Sequence, residues 1–397
     1  MKVYIAGTGM DGKNTLTREC EKAVESADIL IGARRMLEPF ASSGKECFCT
    51  YDTDEIVRRI NEEPEKNITV LMSGDCGFYS GAKKLSEMLG GRAEIISGIS
   101  SPVYFCSKTG LSWENMKFIS LHGKDDNAAV YVKLNRYCFF LLGGKTAPAD
   151  ICRKLCQYGM KDVRVCIGEN LGYDNEKITK GTAAELSGYQ SEKLCVMTAE
   201  NPDHLAYIPC GIADDEFIRT TVPMTKSEIR SAAVSKLNIC SSDICLDAGC
   251  GTGSVSVEMA YRCPEGRVYG CDIKQEAAEL TLKNSMKFGC DNISAETGDT
   301  AEYLKDHEEL IFDKAFIGGS GGRLGEIIGL LYERNPKVRT VITAVTLETL
   351  NSAVKELENA GAEISVTQIS VTRTRKAGRS TMFDALNPVF IIEGARP

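Results

Sequence analysis

A glycine-rich turn between an apolar segment and an amphipathic segment is the sequence feature that most constrains the fold. The turn reads Asp247-Ala-Gly-Cys-Gly-Thr-Gly-Ser254 and ends the apolar run that begins at Ile244. Glycine lets the backbone bend sharply and approach a ligand, and a helix that begins there offers unpaired N–H groups. Strand-like and helix-like segments alternate on both sides of the turn, which predicts an α/β fold with mainly parallel sheets.

The length of the chain predicts two domains, because 397 residues exceed the size at which a single core stops growing. The alternating pattern runs through residues 1–200 and again through 223–397. Residues 201–222 lack this periodicity and are predicted to be a linker. A helix is expected to follow, with Thr225 as its candidate N-cap, and the second domain is predicted to be a Rossmann-like sheet.

Composition favours a small-molecule substrate. A formal net charge of -8 argues against a chain that neutralises nucleic-acid phosphates or an anionic membrane. No apolar run approaches the roughly 18 residues of a membrane helix, and the first strand leads directly into a glycine turn, so the expected compartment is the cytoplasm. The 17 cysteines include no Cys-x-x-Cys pair and only 3 histidines accompany them, so no metal site is predicted.

The spacing of the glycines indicates which kind of cofactor the turn binds. A nicotinamide-binding turn has Gly-x-Gly-x-x-Gly, and Ser254 occupies the position of its last glycine here. Asp247 can face an amino group, and Asp272, at the end of the next predicted strand, can accept hydrogen bonds from both ribose hydroxyls. These features favour S-adenosylmethionine over a dinucleotide, with an unliganded glycine turn as the remaining alternative. The cofactor residues predicted in the second domain are Thr225, Asp247, Gly249, Cys250, Gly251, Thr252, Gly253, Asp272, Asp299 and Thr300.

A second glycine-rich segment, residues 318–322, follows a predicted strand at 314–317. Methyltransferases that act on amine nitrogens of bases or amides commonly have an Asn/Asp-Pro-Pro-aromatic sequence at this place. The exposed main-chain amides of a glycine loop instead leave room for a wide, flat acceptor, although a flexible turn is the alternative. Gly319, Ser320 and Gly321 are therefore predicted to contact the acceptor.

Three loops of small residues follow predicted strands in the first domain. They begin at Gly7, Ser73 and Ser97 and should meet at one edge of a parallel sheet, where such folds bind ligands. Cationic residues follow other strands and could contact substrate carboxylates, with a solvated rim as the alternative. The predicted cofactor residues are Gly7, Gly9, Gly74, Asp75, Ser100 and Ser101, and the predicted cationic residues are Arg34, Arg35, His122 and Lys124.

With these motifs, the whole chain resembles the fused precorrin methyltransferases of cobalamin biosynthesis. The first 200 residues resemble a tetrapyrrole methylase that acts on carbon 5, and the remainder resembles the decarboxylating methyltransferase that acts on carbon 15. The resemblance extends from end to end in the fused order. It is carried by the segments 7–9, 31–37, 73–75, 98–101, 120–124, 168–173, 215–217, 223–226, 249–253, 316–322, 344–349 and 387–390.

The resemblance implies a two-lobed α/β domain followed by a class I methyltransferase domain, each with its own S-adenosylmethionine. It implies methylation of carbons 5 and 15 of (cobalt-)precorrin-6B/7 and decarboxylation of the ring C acetate, giving (cobalt-)precorrin-8. Positioning residues rather than one essential acid are expected to support this chemistry, and homo-oligomers are expected because both parent families are usually multimeric. The many carboxylates of such a substrate give Arg34, Arg35, Lys124, Lys226 and Arg379 a common purpose.

Two other functions compete with this interpretation. An RNA or protein methyltransferase with an N-terminal recognition module would require a basic face and aromatic stacking residues. The negative net charge and the single tryptophan, Trp113, do not favour it. A non-catalytic S-adenosylmethionine sensor or scaffold is the third possibility, which the intact loops disfavour.

Overall fold

A computed structural model describes residues 2–121, 127–143, 146–192 and 194–396. Contacts divide these residues into two compact units. Unit 1 comprises residues 2–121, 137–143, 146–150, 164–192 and 194–200, and unit 2 comprises residues 127–136, 151–163 and 201–396. Both units are mixed α/β structures, so the predicted fold class is confirmed. Among the described residues, no helix combines the length and apolar character that a bilayer crossing requires.

The first sheet of unit 1 consists of five parallel strands in the order β3-β2-β4-β1-β5. Its strands are β1 (Val3–Gly7), β2 (Ile29–Gly32), β3 (Glu46–Cys49), β4 (Ile68–Met72) and β5 (Ala93–Ile96), and its helices are α1 (Arg18–Ser26), α2 (Arg34–Leu37), α3 (Thr53–Glu62), α4 (Ala82–Met88) and α5 (Ser101–Thr109). The central strands β1, β2 and β4 are buried apolar runs, as expected for a parallel sheet covered on both faces. This order places the loops after β1, β4 and β5 side by side.

The second sheet of unit 1 is mostly antiparallel, in the order β6-β7-β10-β8-β9. In chain order its elements and the helices between them are β6 (Met116–Ser120), α6 (Ala129–Leu134), β7 (Tyr137–Leu141), α7 (Pro148–Gln157), β8 (Arg164–Glu169), β9 (Lys177–Thr182), α8 (Ala183–Leu186) and β10 (Cys195–Glu200). Helix α6 and most of α7 belong to unit 2 rather than to unit 1.

Unit 2 has a seven-stranded sheet in the order β13-β12-β11-β14-β15-β19-β16. Its strands are β11 (Ile244–Ala248), β12 (Arg267–Asp272), β13 (Ile293–Thr297), β14 (Lys314–Ile317), β15 (Arg339–Ala344), β16 (Glu363–Ile369) and β19 (Val389–Ala395), and its helices are α9 (Ser227–Lys236), α10 (Ser254–Ala260), α11 (Gln275–Phe288), α12 (Thr300–Asp306), α13 (Leu324–Arg334) and α14 (Leu347–Asn359). One apolar cluster involves α9–α11 and another involves α12–α14, so helices cover both faces. The five strands from β13 to β15 are parallel, and β19 is antiparallel to both of its neighbours, β15 and β16.

A separate two-stranded hairpin, β17 (Thr372–Ala377) and β18 (Ser380–Ala385), precedes the last strand. Every residue of β18 is exposed, and Phe383 is 82% exposed. The hairpin is attached through Arg373, whose guanidinium bonds Asp214 Oδ2 at 3.0 Å and Glu228 Oε1 at 2.9 Å.

The residues predicted to form a linker, 201–222, are packed into unit 2. Ile212, Phe217 and Val222 are buried there, and the Phe217 ring lies 4.7 Å from the Phe288 ring. This segment looked irregular in the sequence because single apolar residues, rather than a periodic face, hold it in place.

The predicted N-cap at Thr225 is wrong by one position. Helix α9 begins at Ser227 and its N-cap residue is Lys226. The Ser227 N–H donates to Asp214 Oδ1 at 3.0 Å, so a carboxylate from a distant position does what a capping hydroxyl would do. Thr225 uses its carbonyl oxygen instead, which accepts a hydrogen bond from Arg230 Nη1 at 2.7 Å.

Candidate functional site

A cavity of about 480 Å³ opens at the carboxyl ends of β11, β12, β14 and β15 in unit 2. Parallel strands deliver their following loops to one edge of a sheet, so segments far apart in sequence meet here. Of the residues predicted above, the cavity is lined by Thr225, Lys226, Asp247, Gly249, Cys250, Gly251, Thr252, Asp272, Asp299, Thr300, Gly319, Ser320 and Gly321.

The glycine turn after β11 needs its glycines. Gly249 has a φ of +74°, and a Cβ added there would lie 2.7 Å from the Gly319 nitrogen. Gly251 has a φ of +55°, and its added Cβ would lie 2.7 Å from the Pro223 carbonyl oxygen. Such positions exclude larger residues both by backbone strain and by collision, which allows three loops to pack main chain against main chain.

Gly253 has a different position from the one predicted. It precedes α10 with a φ of +73°, and a Cβ there would lie 2.8 Å from the Thr281 Cα on α11. The third glycine of the turn therefore allows two helices to approach each other, behind the cavity wall. This is the packing role that the last glycine has in dinucleotide-binding turns.

Asp247 is the buried carboxylate of the site. Its residue is 1% exposed, its Oδ2 accepts a hydrogen bond from the Ser256 hydroxyl, and its Oδ1 has no partner among the described residues. Burial raises the pKa of the Asp247 carboxyl to about 7, and the Ser256 hydrogen bond opposes this rise. An unpaired buried acceptor is costly, so the arrangement suits a ligand that brings a cationic donor.

Asp272 ends β12 and supports the turn. Its Oδ2 accepts a hydrogen bond from the Gly251 N–H at 3.0 Å, and its Oδ1 accepts one from the Lys274 N–H at 3.0 Å. Each carboxylate oxygen keeps further acceptor capacity toward the cavity, as two adjacent ribose hydroxyls require. Asp299 and Thr300 continue the lining at the N-terminus of α12, where Asp299 is the N-cap.

Cys250 contributes packing rather than nucleophilic chemistry. It is 6% exposed, and its Sγ lies 3.4 Å from the Thr281 hydroxyl. Burial raises the pKa of the Cys250 thiol well above its ordinary value, which keeps it protonated and unreactive. Among the described residues, no cluster of three His, Cys, Asp or Glu side chains has the grouping of a metal site.

These residues fit S-adenosylmethionine. The unpaired Asp247 Oδ1 would accept hydrogen bonds from the ammonium group of the cofactor, and Asp272 would accept those of the ribose hydroxyls. Lys226 adds a cation to the lining at the N-terminus of α9, and Gly319, Ser320 and Gly321 also line the cavity.

In unit 1, the three predicted loops also meet. The Gly9 N–H donates to the Gly74 carbonyl at 3.1 Å, and the Gly74 N–H donates to the Gly9 carbonyl at 2.9 Å. A Cβ on Gly98 would lie 2.1 Å from the Gly74 oxygen, so these backbones touch. Asp75 joins two of the loops, since its Oδ2 accepts a hydrogen bond from the Gly98 N–H at 2.9 Å.

A cavity of about 550 Å³ lies beside this junction, and Arg35, Gly74, Asp75 and Ser101 are among its lining residues. Arg35 Nη2 donates to the Ser73 hydroxyl at 3.0 Å, which places its cation beside the loop after β4.

Other predicted residues of unit 1 have different positions. Gly7 and Gly9 lie behind the cavity lining and are needed for backbone packing, since a Cβ on either would collide with Gly74 or Thr15. Ser100 is the N-cap residue of α5 and is buried. The Arg34 side chain is 88% exposed and pairs with Glu38 at 3.6 Å, so it faces solvent.

Three further predicted substrate residues lie outside both cavities or outside the described chain. Arg379 is exposed between β17 and β18. The predictions for His122 and Lys124 lie outside the described residues.

Several lining residues were missed because apolar side chains look like ordinary core in a sequence. In unit 1 these include Met10, Phe78 and Leu171. In unit 2, Ile273 and Val345 line the cavity although they are 63% and 68% exposed. Their position immediately beyond β12 and β15 was the available signal, because residues there border the ligand-binding edge of a parallel sheet.

The fold of unit 2 and its cavity define an S-adenosylmethionine-dependent methyltransferase. A precorrin methyltransferase domain model matches residues 216–395, and a tetrapyrrole (corrin/porphyrin) methylase model matches residues 2–187. A probable cobalt-precorrin-6B C(15)-methyltransferase (decarboxylating) of Pyrobaculum calidifontis is 45% identical over 189 residues, which are 47% of this chain and 96% of that protein. The protein of the same description from Saccharolobus solfataricus is 41% identical over 196 residues, which are 48% of this chain and 98% of its own length. The chain belongs to this family of decarboxylating precorrin methyltransferases.

Solved structures were also found. The precorrin-6y C5,15-methyltransferase of Geobacter metallireducens is 36% identical, with a TM-score of 0.45, and the match covers 49% of this chain and 100% of that one. A precorrin-6Y methylase of Archaeoglobus fulgidus is 20% identical, with a TM-score of 0.41, and the match covers 50% of this chain and 97% of that one.

Proposed function

We propose that the chain is a bifunctional methyltransferase that converts (cobalt-)precorrin-6B/7 into (cobalt-)precorrin-8. Unit 1 methylates carbon 5, and unit 2 methylates carbon 15 and removes the carboxyl group of the ring C acetate. The relatives described as decarboxylating C(15)-methyltransferases support the second reaction, and the tetrapyrrole methylase model over residues 2–187 supports the first. The observation that carries the proposal is the cavity of unit 2, where an unpaired Asp247 oxygen, Asp272 and two glycine loops converge.

Each unit binds its own S-adenosylmethionine in this proposal. In unit 2, Asp247 and Asp272 hold the amino acid and ribose parts. In unit 1, the junction of the loops that contain Gly9, Gly74 and Asp75 provides the second site, beside its own cavity. Two separate cavities with small-residue loops support the count of one cofactor per unit.

Methyl transfer places modest demands on the protein. S-adenosylmethionine supplies an electrophilic methyl group on a sulfonium, and positive charge at sulfur is lost as the methyl group leaves. The residues of unit 2 therefore contribute orientation and exclusion of water rather than a strong base. The buried Asp247 and the raised pKa of Cys250 agree with a site that has no activated nucleophile.

Decarboxylation likewise depends on placement. Breaking the bond to the carboxyl carbon leaves an electron pair that the conjugated macrocycle can accept, and a proton then replaces the lost carbon. Lys226 and the amides of the glycine loop line the cavity where substrate carboxylates must be held.

Mass spectrometry of the reaction products tests this function. The full chain is incubated with S-adenosylmethionine and with precorrin-6B or its cobalt form. We expect a product that has gained two methyl groups and lost one carbon dioxide, and no reaction without S-adenosylmethionine. A product that is methylated without loss of carbon dioxide would contradict the assignment of unit 2.

The remaining features of the proposal are a small-molecule acceptor, a cytoplasmic location and a homo-oligomeric assembly. The net charge of -8 supports a small acceptor over nucleic acid. A titration with tRNA at moderate salt, cell fractionation and light scattering of the purified chain would examine these three features separately. Tight tRNA binding, a membrane-bound fraction or a monomeric mass would each contradict the corresponding feature.

A further inference from the structure

Arg323 connects two parts of the lining of the unit 2 cavity, the glycine loop 318–322 and the Asp299 side chain. It follows the glycine loop 318–322 and immediately precedes α13. Its guanidinium bonds three carboxylates: Nη1 lies 2.8 Å from Asp299 Oδ1, Nη2 lies 2.6 Å from Glu302 Oε1, and Nε lies 2.7 Å from Glu326 Oε2. A planar guanidinium with several donors can hold three acceptors in a fixed geometry, whereas an ammonium cannot.

Asp299 is the partner of Arg323 that lines the cavity. Its Oδ1 also accepts the N–H groups of Ala301 at 2.9 Å and Glu302 at 3.2 Å, so this oxygen is held by three donors. Its Oδ2 is directed toward the glycine loop, because a Cβ on Gly321 would lie 3.7 Å from it. One oxygen therefore fixes the side chain and leaves the other toward the cavity.

The glycine loop is fixed at its two ends. At its start, the N–H groups of Gly318 and Gly319 donate to the Ala248 carbonyl at 2.9 and 3.1 Å. At its end, the Arg323 N–H donates to the Ser320 carbonyl at 2.9 Å, and the Arg323 side chain is anchored on α12. A segment with four glycines loses much conformational entropy when it is ordered, so its anchors decide how well it is preorganised.

We propose that Arg323 is a positioning residue that sets the Asp299 carboxylate and the glycine loop together, so that cofactor affinity and tetrapyrrole affinity in unit 2 depend on one side chain. This inference rests on the function proposed above. In that function Asp299, which lines the cavity, contacts the cofactor, and the glycine loop contacts the acceptor. Loss of the Arg323 contacts frees the Asp299 side chain and the loop at once, so both binding steps weaken together.

The test is the Arg323→Met variant of the full chain. Formation of the decarboxylated product measures the activity of unit 2 alone. Its rate is followed by mass spectrometry while the concentration of either S-adenosylmethionine or cobalt-precorrin-6B is varied. Both KM values should rise by about tenfold or more while kcat changes by less than about threefold, because a preorganised site affects binding of both ligands. Asp299→Asn keeps an N-cap residue but loses the carboxylate, and it should raise the KM for S-adenosylmethionine similarly.

Lys305→Met is the matched control. Lys305 Nζ pairs with Glu302 at 3.3 Å and with Glu326 at 2.7 Å, so this variant removes a cation from the same two glutamates. Both KM values should stay within about twofold of the native values, since Asp299 keeps Arg323. The inference is overturned if Arg323→Met lowers only the melting temperature, or if it raises the KM of one ligand alone. A native chain that forms no decarboxylated product would instead refute the proposed function.

Discussion

At the scale of single residues, Asp247 shows how a ligand site costs stability. Its carboxyl is buried, with one oxygen bonded by Ser256 and the other unpaired. In the folded chain its pKa is about 7, whereas in the unfolded chain it has its ordinary value near 4. Between these values the folded state holds a proton that the unfolded state has lost. The contribution of Asp247 to the free energy of unfolding is therefore most favourable below about pH 4 and is lost as the pH rises from there through 7.

Asp247→Asn should stabilise the cofactor-free protein at pH 8. The ionised carboxylate lowers the free energy of unfolding by up to about 4 kcal/mol there, and the substitution removes this cost. The buried, unpaired amide of Asn has a smaller cost of its own, so the net stabilisation is less than that value. The difference should vanish near pH 4, which urea denaturation at both pH values would reveal. Calorimetry should show that the same variant loses binding of S-adenosylmethionine in unit 2 by about tenfold or more. Equal stability of variant and native chain at pH 8 would contradict the raised pKa.

Gly249→Ala should destabilise unit 2. The new methyl group would lie 2.7 Å from the Gly319 nitrogen at a φ of +74°. Strain and collision together should cost about 2 kcal/mol or more in the free energy of unfolding. Gly298→Ala is the control, since no heavy atom lies within 4 Å of its added Cβ, and it should cost less than about 0.5 kcal/mol. Similar losses in the two variants would refute the close approach of the loops.

At the scale of elements, the segment before α9 is held by a buried ion pair. Arg230 and Glu258 have fully buried side chains, and Nε lies 2.6 Å from Oε1. Arg230 also bonds the carbonyl oxygens of Thr225 and Ile212, and Glu258 accepts the N–H groups of Gly211 and Ile212. The pair therefore places Thr225, which lines the cavity, by fixing the chain on both sides of it.

Arg230→Met should cost about 3 to 5 kcal/mol, because it leaves the Glu258 carboxylate buried without its cation. Urea denaturation followed by circular dichroism measures this loss. The control is Arg164→Met, which breaks a pair with Glu200 at 3.4 Å whose arginine side chain is 71% exposed, and it should cost less than about 1 kcal/mol. If both variants lost the same stability, the buried pair would not hold the segment.

The sequence predicted most elements that have a buried apolar face. Strand β14 has the predicted bounds, 314–317, and strand β12 ends at Asp272 as predicted, because apolar residues identify both strands. Strands β17 and β18 were missed, since the hairpin has no buried face to produce a pattern. The segment that contains Phe217 was missed for the opposite reason, because its partner Phe288 is too distant in sequence to produce a periodicity.

At the scale of the whole molecule, the glycine loops were identifiable and the cationic residues were not. Loops after parallel strands must meet, so their convergence in both units follows from strand order alone. Whether a surface cation reaches a cavity depends on its rotamer and its neighbours. Lys226 and Arg35 line cavities, whereas Arg34 pairs with Glu38 in solvent, and no pattern in the sequence distinguishes these cases.

The two cofactor sites should fail independently. Asp272→Ala removes the acceptor of the Gly251 N–H in unit 2 and should abolish the decarboxylated product while methylation of carbon 5 continues. Asp75→Ala removes the acceptor of the Gly98 N–H in unit 1 and should have the reverse effect. Mass spectrometry of the products distinguishes the two. Equal loss of both methylations in either variant would contradict separate sites.

Asp291 shows that unit 2 cannot be separated by a single cut before residue 201 without loss of buried contacts. Its buried carboxylate accepts hydrogen bonds from the N–H groups of Ala128, Ala129 and Val130 at 2.7, 3.0 and 2.9 Å, all within unit 2. A shortened chain that begins at residue 201 would lack the three N–H groups that bond the Asp291 carboxylate. It would also expose the apolar residues that Val130 covers. A protein engineer who wants the decarboxylating half alone would have to redesign that patch with polar side chains first.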